Sequence, residues 1–250
     1  MREKIILVGV ATILGLAFFI YNEHWELFQG NGVTFLDRAA TQRFLIEDKD
    51  RYITNMSMVD IVARKSKNHR EYTEKAGAAA QDFLEEEKER LEIATREADR
   101  WLKDLQHPLV QYEALPWKFA LTLPTYEEGL PHTREDIIFL SRAQLQYPTE
   151  QLVNLLIHEW VHLYQRKNKG MFRDKLLKAG YRVWRERKGY PRIRANPDVD
   201  GLIYIHPGGE IMVGVYNSLF PRSIIDVVFA GGVGEHPFEE VAYAVAGLRK

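Results

Sequence analysis

The sequence predicts an α+β domain preceded by an N-terminal transmembrane helix and a helical segment. Three features lead there. An apolar run opens the chain, and a long amphipathic stripe covers residues 71–105. After residue 106, short β-branched and aromatic runs alternate with segments of helical period. The divisions that follow are 1–22 as a membrane anchor, 23–105 as a helical stalk or helical subdomain, and 106–250 as the domain that holds the chemistry.

Residues 5–21 carry no charge. At about 1.5 Å per residue the run reaches about 26 Å, just enough to cross a bilayer. Arg2 and Lys4 precede it, and Glu23 and Glu26 follow. The positive-inside rule then leaves the N-terminus cytoplasmic and puts residues 22–250 on the extracytoplasmic or lumenal side. A signal peptide cut after Gly15-Leu16-Ala17, or a buried core helix, are rival readings of the same run. Apolar residues continuing through Phe18, Phe19 and Ile20, with Tyr21 and Trp25 suited to the interface, favour a retained anchor.

Gln29-Gly30-Asn31-Gly32 breaks the chain, and residues 35–65 read as short helical pieces between polar breaks. From 71 to 105, Tyr72, Ala76, Ala79, Phe83, Leu91, Ala94, Ala98, Leu102 and Leu105 recur at three- and four-residue spacing. That predicts one long helix packed on its own domain, with Glu87 interrupting the stripe. Glu86 and Arg90, and Glu92 and Arg96, are spaced for i,i+4 pairs. Residues 117–123, 136–141, 202–205, 211–216 and 224–229 read as strands.

Residues 166–194 hold twelve Lys or Arg against Asp174 and Glu186. Such a stretch suits nucleic acid, anionic lipid, or a solvated helix face paired with the acidic 71–105 segment. With this part of the chain across a membrane, nucleic acid is not an expected partner. Residues 196–201 resemble a fragment of a calcium loop but lack the later bidentate glutamate, so they read as a turn.

At 250 residues the chain can bury one good core or two small ones, and 46% apolar with 28% charged residues describes a folded protein. The absence of cysteine excludes disulfides, thiolate nucleophiles and cysteine-ligated zinc. Any zinc must therefore be held by histidine and carboxylate, which agrees with a catalytic rather than a structural site.

The chemistry concentrates in His158-Glu159-Trp160-Val161-His162. Leu152, Val153, Leu156, Trp160 and Leu163 give this segment an apolar helical face, with a start at Pro148-Thr149-Glu150 and a stop at Gly170. On a helix, residues four apart share a face. His158 and His162 can then grip one metal ion while Glu159, one step round, faces a water on it.

This motif resembles the zinc metallopeptidases called zincins, over roughly the last 115 residues. The resemblance implies a zincin-like domain over 106–250, with a small mixed sheet and an active-site helix. Metzincins would need Gly and His where this chain has Gln165 and Asn168. Gluzincins take a glutamate from a later helix, and Glu239-Glu240-Val241-Ala242 fits, so Glu239 maps onto the third ligand. His236-Pro237-Phe238 reads as the start of that helix. Other donors available are Glu210, Glu235, His206 and His236. Many gluzincins carry an acid four residues beyond the ligand, where this chain has Tyr243. In zincins an edge strand upstream of the motif helix lines the cleft, which points to 136–141, with 129–133 as a rim loop and His132 as a substrate contact or, the preferred reading, a turn residue. An extended substrate can add to such an edge.

The function so implied is a membrane-anchored, Zn²⁺-dependent metallopeptidase acting on polypeptides, with Glu159 as general base and His158, His162 and Glu239 on the metal. Tyr204, His206, Tyr216 and His236 are the candidates to assist at the carbonyl oxygen. The alternative is a catalytically silent protein of zincin fold that binds or assembles through its basic surface at a membrane or nucleic acid.

Overall fold

The stripe over 71–105 is where the chain first overrides its local preference. In the computed structural model, which describes residues 32–249, it splits into α3 (His69–Ala78) and α4 (Glu85–Lys103) around the two-residue strand β2 (Ala80–Gln81). Ala79 and Ala80 favour helix, but Ala80 and Gln81 pair with Thr122 and Leu121, and the Leu123 N–H donates to the Ala79 carbonyl. Tertiary pairing wins over propensity. Glu87, the interruption in the stripe, accepts the Leu84 N–H at 2.8 Å as the capping acid of α4, and pairs with Arg142 at 2.9 Å. Arg90 does not meet Glu86; it donates to the Tyr147 carbonyl.

The main sheet runs β1 (Val33–Phe35), β3 (Trp117–Thr122), β5 (Ile137–Leu140), β4 (His132–Arg134), with β2 on the end of β3. Strands β1, β3 and β5 are parallel, and β4 runs antiparallel along the edge. This is a mixed α+β fold. All four residues of β5 are buried, so the edge expected at 136–141 belongs instead to β4, which takes in His132 and Thr133 from the expected rim loop. Helix α1 (Arg38–Glu47) packs on α3, and α2 (Met58–Ala63) opens with a Ser57–Asp60 capping box. At the start of the short α5 (Arg142–Leu145) the Ser141 N–H and hydroxyl both donate to Gln144 Oε1, at 2.7 Å each.

Helix α6 (Thr149–Lys167) carries the motif, and α7 (Lys169–Lys178) follows at once. Asn168, with φ −105° and ψ 28°, makes the break between them. Gly170 lies inside α7, so the expected stop there is wrong by two residues. Part of the basic stretch is not helical at all: β6 (Arg182–Glu186) pairs with β7 (Leu202–Ile205), which pairs with β8 (Ile211–Met212). Its cations meet Glu113, Asp200, Asp60 and Glu235 rather than the acids of 71–105. The strand expected over 211–216 divides, because β9 (Gly214–Tyr216) pairs with β10 (Val227–Phe229) in a different sheet from β8. Helix α8 (Pro237–Gly247) closes the chain.

Residues 33–249 form one compact unit. Leu91, Ala94, Ala98 and Leu102 of α4 share a core with Leu156, Trp160 and Leu163 of α6 and with Val241 and Val245 of α8. The described part of the expected stalk thus packs against the motif helix. The run 5–21 lies outside the described residues. Among the described residues no helix is long and apolar enough to cross a membrane.

Candidate metal centre

Two helices build the site. Trp160, Leu156, Val153 and Val161 turn into the core, which fixes the rotation of α6 and presents His158, Glu159 and His162 on the other side. Helix α8 starts at Pro237, where a missing N–H costs nothing, and His236 caps it by accepting the Phe238 N–H at 3.1 Å. Phe238, Val241, Ala242 and Val245 are buried, and packing that face on α6 brings Glu239 beside the two imidazoles.

The separations are 3.0 Å between the Nε2 atoms of His158 and His162, 3.4 Å from His158 Nε2 to Glu239 Oε2, and 3.6 Å from His162 Nε2 to the same oxygen. Donors about 2.0–2.1 Å from a tetrahedral ion lie about 3.3–3.4 Å from one another, so the triangle has the right size for zinc. His158, His162 and Glu239 are the group among the described residues whose donor atoms converge closely enough to hold a metal. Glu210 sits by His206, Glu235 by Arg194, and His236 by Asp200, so none of these alternative donors joins it.

Neutral side-chain amides bond to His162 and Glu239. Gln165 Oε1 lies 2.9 Å from His162 Nδ1, and Gln165 Nε2 donates to the Phe238 carbonyl at 2.9 Å. Asn196 Nδ2 donates to Glu239 Oε1 at 2.6 Å and to Glu235 Oε1 at 2.7 Å. Tyr243, one turn after Glu239, lays its ring against His158 with centroids 4.5 Å apart.

Electrostatically the site favours a cation. Burial pushes the His162 imidazolium down, but the carboxylates of Asp198 and Glu239 push it up to about 9. Burial raises the Glu239 carboxyl, yet His162 and His158 outweigh this and hold it well below the usual carboxylate range. Glu159 is pushed well above its ordinary value by burial and by Asp198 and Glu239, with His162 opposing. Its Oε2 is buried and has no hydrogen-bond partner among the described residues. Such an oxygen is costly to leave bare, and it suits a carboxylate facing a reactant.

A cleft of about 820 Å³ contains His158, Glu159 and Glu239. Its walls include Leu130, Pro131, Leu155, Ile224, Phe229 and Tyr243, with Arg64 and Glu127 also in the lining. Arg64 binds Glu127 through two bonds, at 2.7 and 2.6 Å. Of the residues the sequence offered as carbonyl-oxygen donors, Tyr204, His206, Tyr216 and His236 all lie off this lining. Tyr204 and His236 bind Asp200, Tyr216 meets Arg64, and His206 faces Glu210. Tyr243 is the tyrosine that lines the cleft.

The segment read as a turn, 196–201, is part of the site. Besides Asn196 it supplies Asp198, whose Oδ1 accepts the Thr133 N–H at 2.6 Å and hydroxyl at 2.9 Å. Arg166 donates to the Thr133 carbonyl at 3.2 Å. Both main-chain groups of Thr133 on the β4 edge are thereby taken, so a substrate does not add to the edge at that residue in this conformation. His132 is a buried strand residue stacked on Phe139, not a turn residue. No protein-family model, curated protein or solved structure matches the chain.

Proposed function

We propose that this chain is a zinc-dependent metallopeptidase, with His158, His162 and Glu239 as ligands and Glu159 as general base. The observation that carries this reading is the donor triangle, closed by residues from two helices, with the bare Glu159 carboxylate oxygen beside it. The zincin likeness rests on these residues. When bound, zinc supplies a Lewis acid that polarises a carbonyl and makes a water acidic near neutral pH. Glu159 takes the proton of the attacking water and returns it to the leaving amine. Tyr243, in the cleft beside His158, is the donor to the developing oxyanion. The sequence of residues 5–21 supports attachment to a membrane, with the peptidase on the extracytoplasmic or lumenal side.

Elemental analysis and peptide hydrolysis test this together. Wild type is expected to carry zinc and cleave an unstructured polypeptide. Glu159→Gln should keep the zinc and lose about 10²–10⁴ of the rate, the usual worth of a general base. A wild type that takes up no zinc, or a Glu159→Gln variant as active as wild type, overturns the assignment. Zinc without hydrolysis would leave the binding or assembly role. Protection of the C-terminal part from added protease in sealed vesicles checks the topology.

A further inference from the structure

Gln165 stands three residues after His162 on α6, fully buried, with both ends of its amide engaged. A carbonyl only accepts, so the amide end facing the Phe238 carbonyl is the NH₂. The end facing His162 is then the oxygen, which needs a donor, and His162 Nδ1 must carry a hydrogen. That places the His162 lone pair on Nε2, the atom 3.0 Å from His158 Nε2 and 3.6 Å from Glu239 Oε2. Phe238 immediately precedes Glu239. One side chain therefore sets the tautomer of one ligand and ties down the first turn of the helix that carries another.

We propose that Gln165 is a positioning residue that assembles the His162–Glu239 part of the centre before the ion arrives. The inference rests on the metal-site reading above. It makes the tautomer a property of the fold, since the Phe238 carbonyl dictates it through the amide.

Two measurements on the full chain test it. The first is zinc affinity by chelator competition, with melting of the metal-free protein as a control for folding. Gln165→Met conserves volume but offers neither bond, and zinc affinity should fall about 10–100-fold, the usual effect of losing a partner behind a ligand. Gln165→Glu keeps an acceptor for His162 and loses the donor to Phe238, so its affinity should lie between the two. Unchanged affinity in a folded Gln165→Met overturns the proposal. The second measurement is the ¹⁵N spectrum of the His162 ring in metal-free wild type, followed over pH until the ring is neutral. The expected form has hydrogen on Nδ1, and a ring protonated on Nε2 overturns the proposal even if the variants do not fold. Failure of wild type to bind zinc sinks the metal reading alone and leaves this spectrum to decide what Gln165 does.

Discussion

Asp200→Asn removes one charge from the network that seats α8, and its cost should depend on pH in a defined way. The Asp200 side chain is almost wholly buried. Its Oδ1 lies 3.3 Å from His236 Nε2 and accepts the Leu202 N–H at 3.1 Å, and its Oδ2 accepts the Tyr204 hydroxyl at 3.0 Å and meets Arg173 at 3.2 Å. Burial alone would raise the carboxyl, but the His236 bond, the Leu202 N–H and the Tyr204 hydroxyl bring it from 3.8 down to about 2. A drop of nearly two units corresponds to about 2 kcal/mol of stability, at about 1.4 kcal/mol per unit. Because the carboxyl is lowered in the folded state, this stability is fully present above about pH 4 and is lost as pH falls towards about 2. Asn keeps the shape and one acceptor but turns an NH₂ towards a donor, so the pH-dependent part of the difference reports the charge. Urea unfolding of zinc-free wild type and variant should differ by about 2 kcal/mol at neutral pH, or about 4–8 °C in Tm for a domain of this size. The gap should shrink to about half by pH 3. A gap that stays constant with pH, or that widens as pH falls, refutes the reasoning.

Glu159→Gln should stabilise the zinc-free protein at neutral pH, because burial and its carboxylate neighbours raise the acid in the folded state. Such a group weakens the fold as pH rises above its unfolded value, so the gain should vanish below about pH 4 in the same unfolding assay. Arg64→Leu strands the buried Glu127 carboxylate and should cost about 3–5 kcal/mol, while Arg64→Leu with Glu127→Leu should recover much of it. Denaturant unfolding reads both, and a double variant no better than the single one argues against the pairing. Tyr243→Phe keeps the ring on His158 and removes the hydroxyl. Its kcat should fall about 10²–10³-fold, the usual cost of an oxyanion donor, with zinc content unchanged; an unchanged kcat removes Tyr243 from the mechanism.

The parts legible from sequence were those governed by local periodicity. The His158, Glu159 and His162 constellation needs only that residues 149–167 be helical, and the apolar spacing said so. Strand β7 read true because four apolar residues stand between turns. The split at Ala79–Leu84 did not read from the stripe, because poly-alanine favours helix and the competing partner, β3, lies some forty residues on. A signal was nonetheless present: Glu85-Glu86-Glu87 is the acidic first turn of a new helix. The turn at 196–201 hid Asn196 and Asp198, since an amide or carboxylate in a loop shows no periodicity to mark what it meets. In the sequence Gln165 carries one signal, that it stands where a metzincin needs glycine.

By itself the sequence determined which atoms were offered to a metal and which carboxylate stood beside them, because helix geometry converts a spacing of four into a shared face. Only the tertiary structure decided that Glu239 meets the two histidines, that amides from Gln165 and Asn196 bond to His162 and Glu239, and that Tyr243 lines the cleft while Tyr204, His206, Tyr216 and His236 do not. Those outcomes follow from packing two distant helices face to face over a common core. The pattern along one chain cannot encode that meeting except through the burial that drives it.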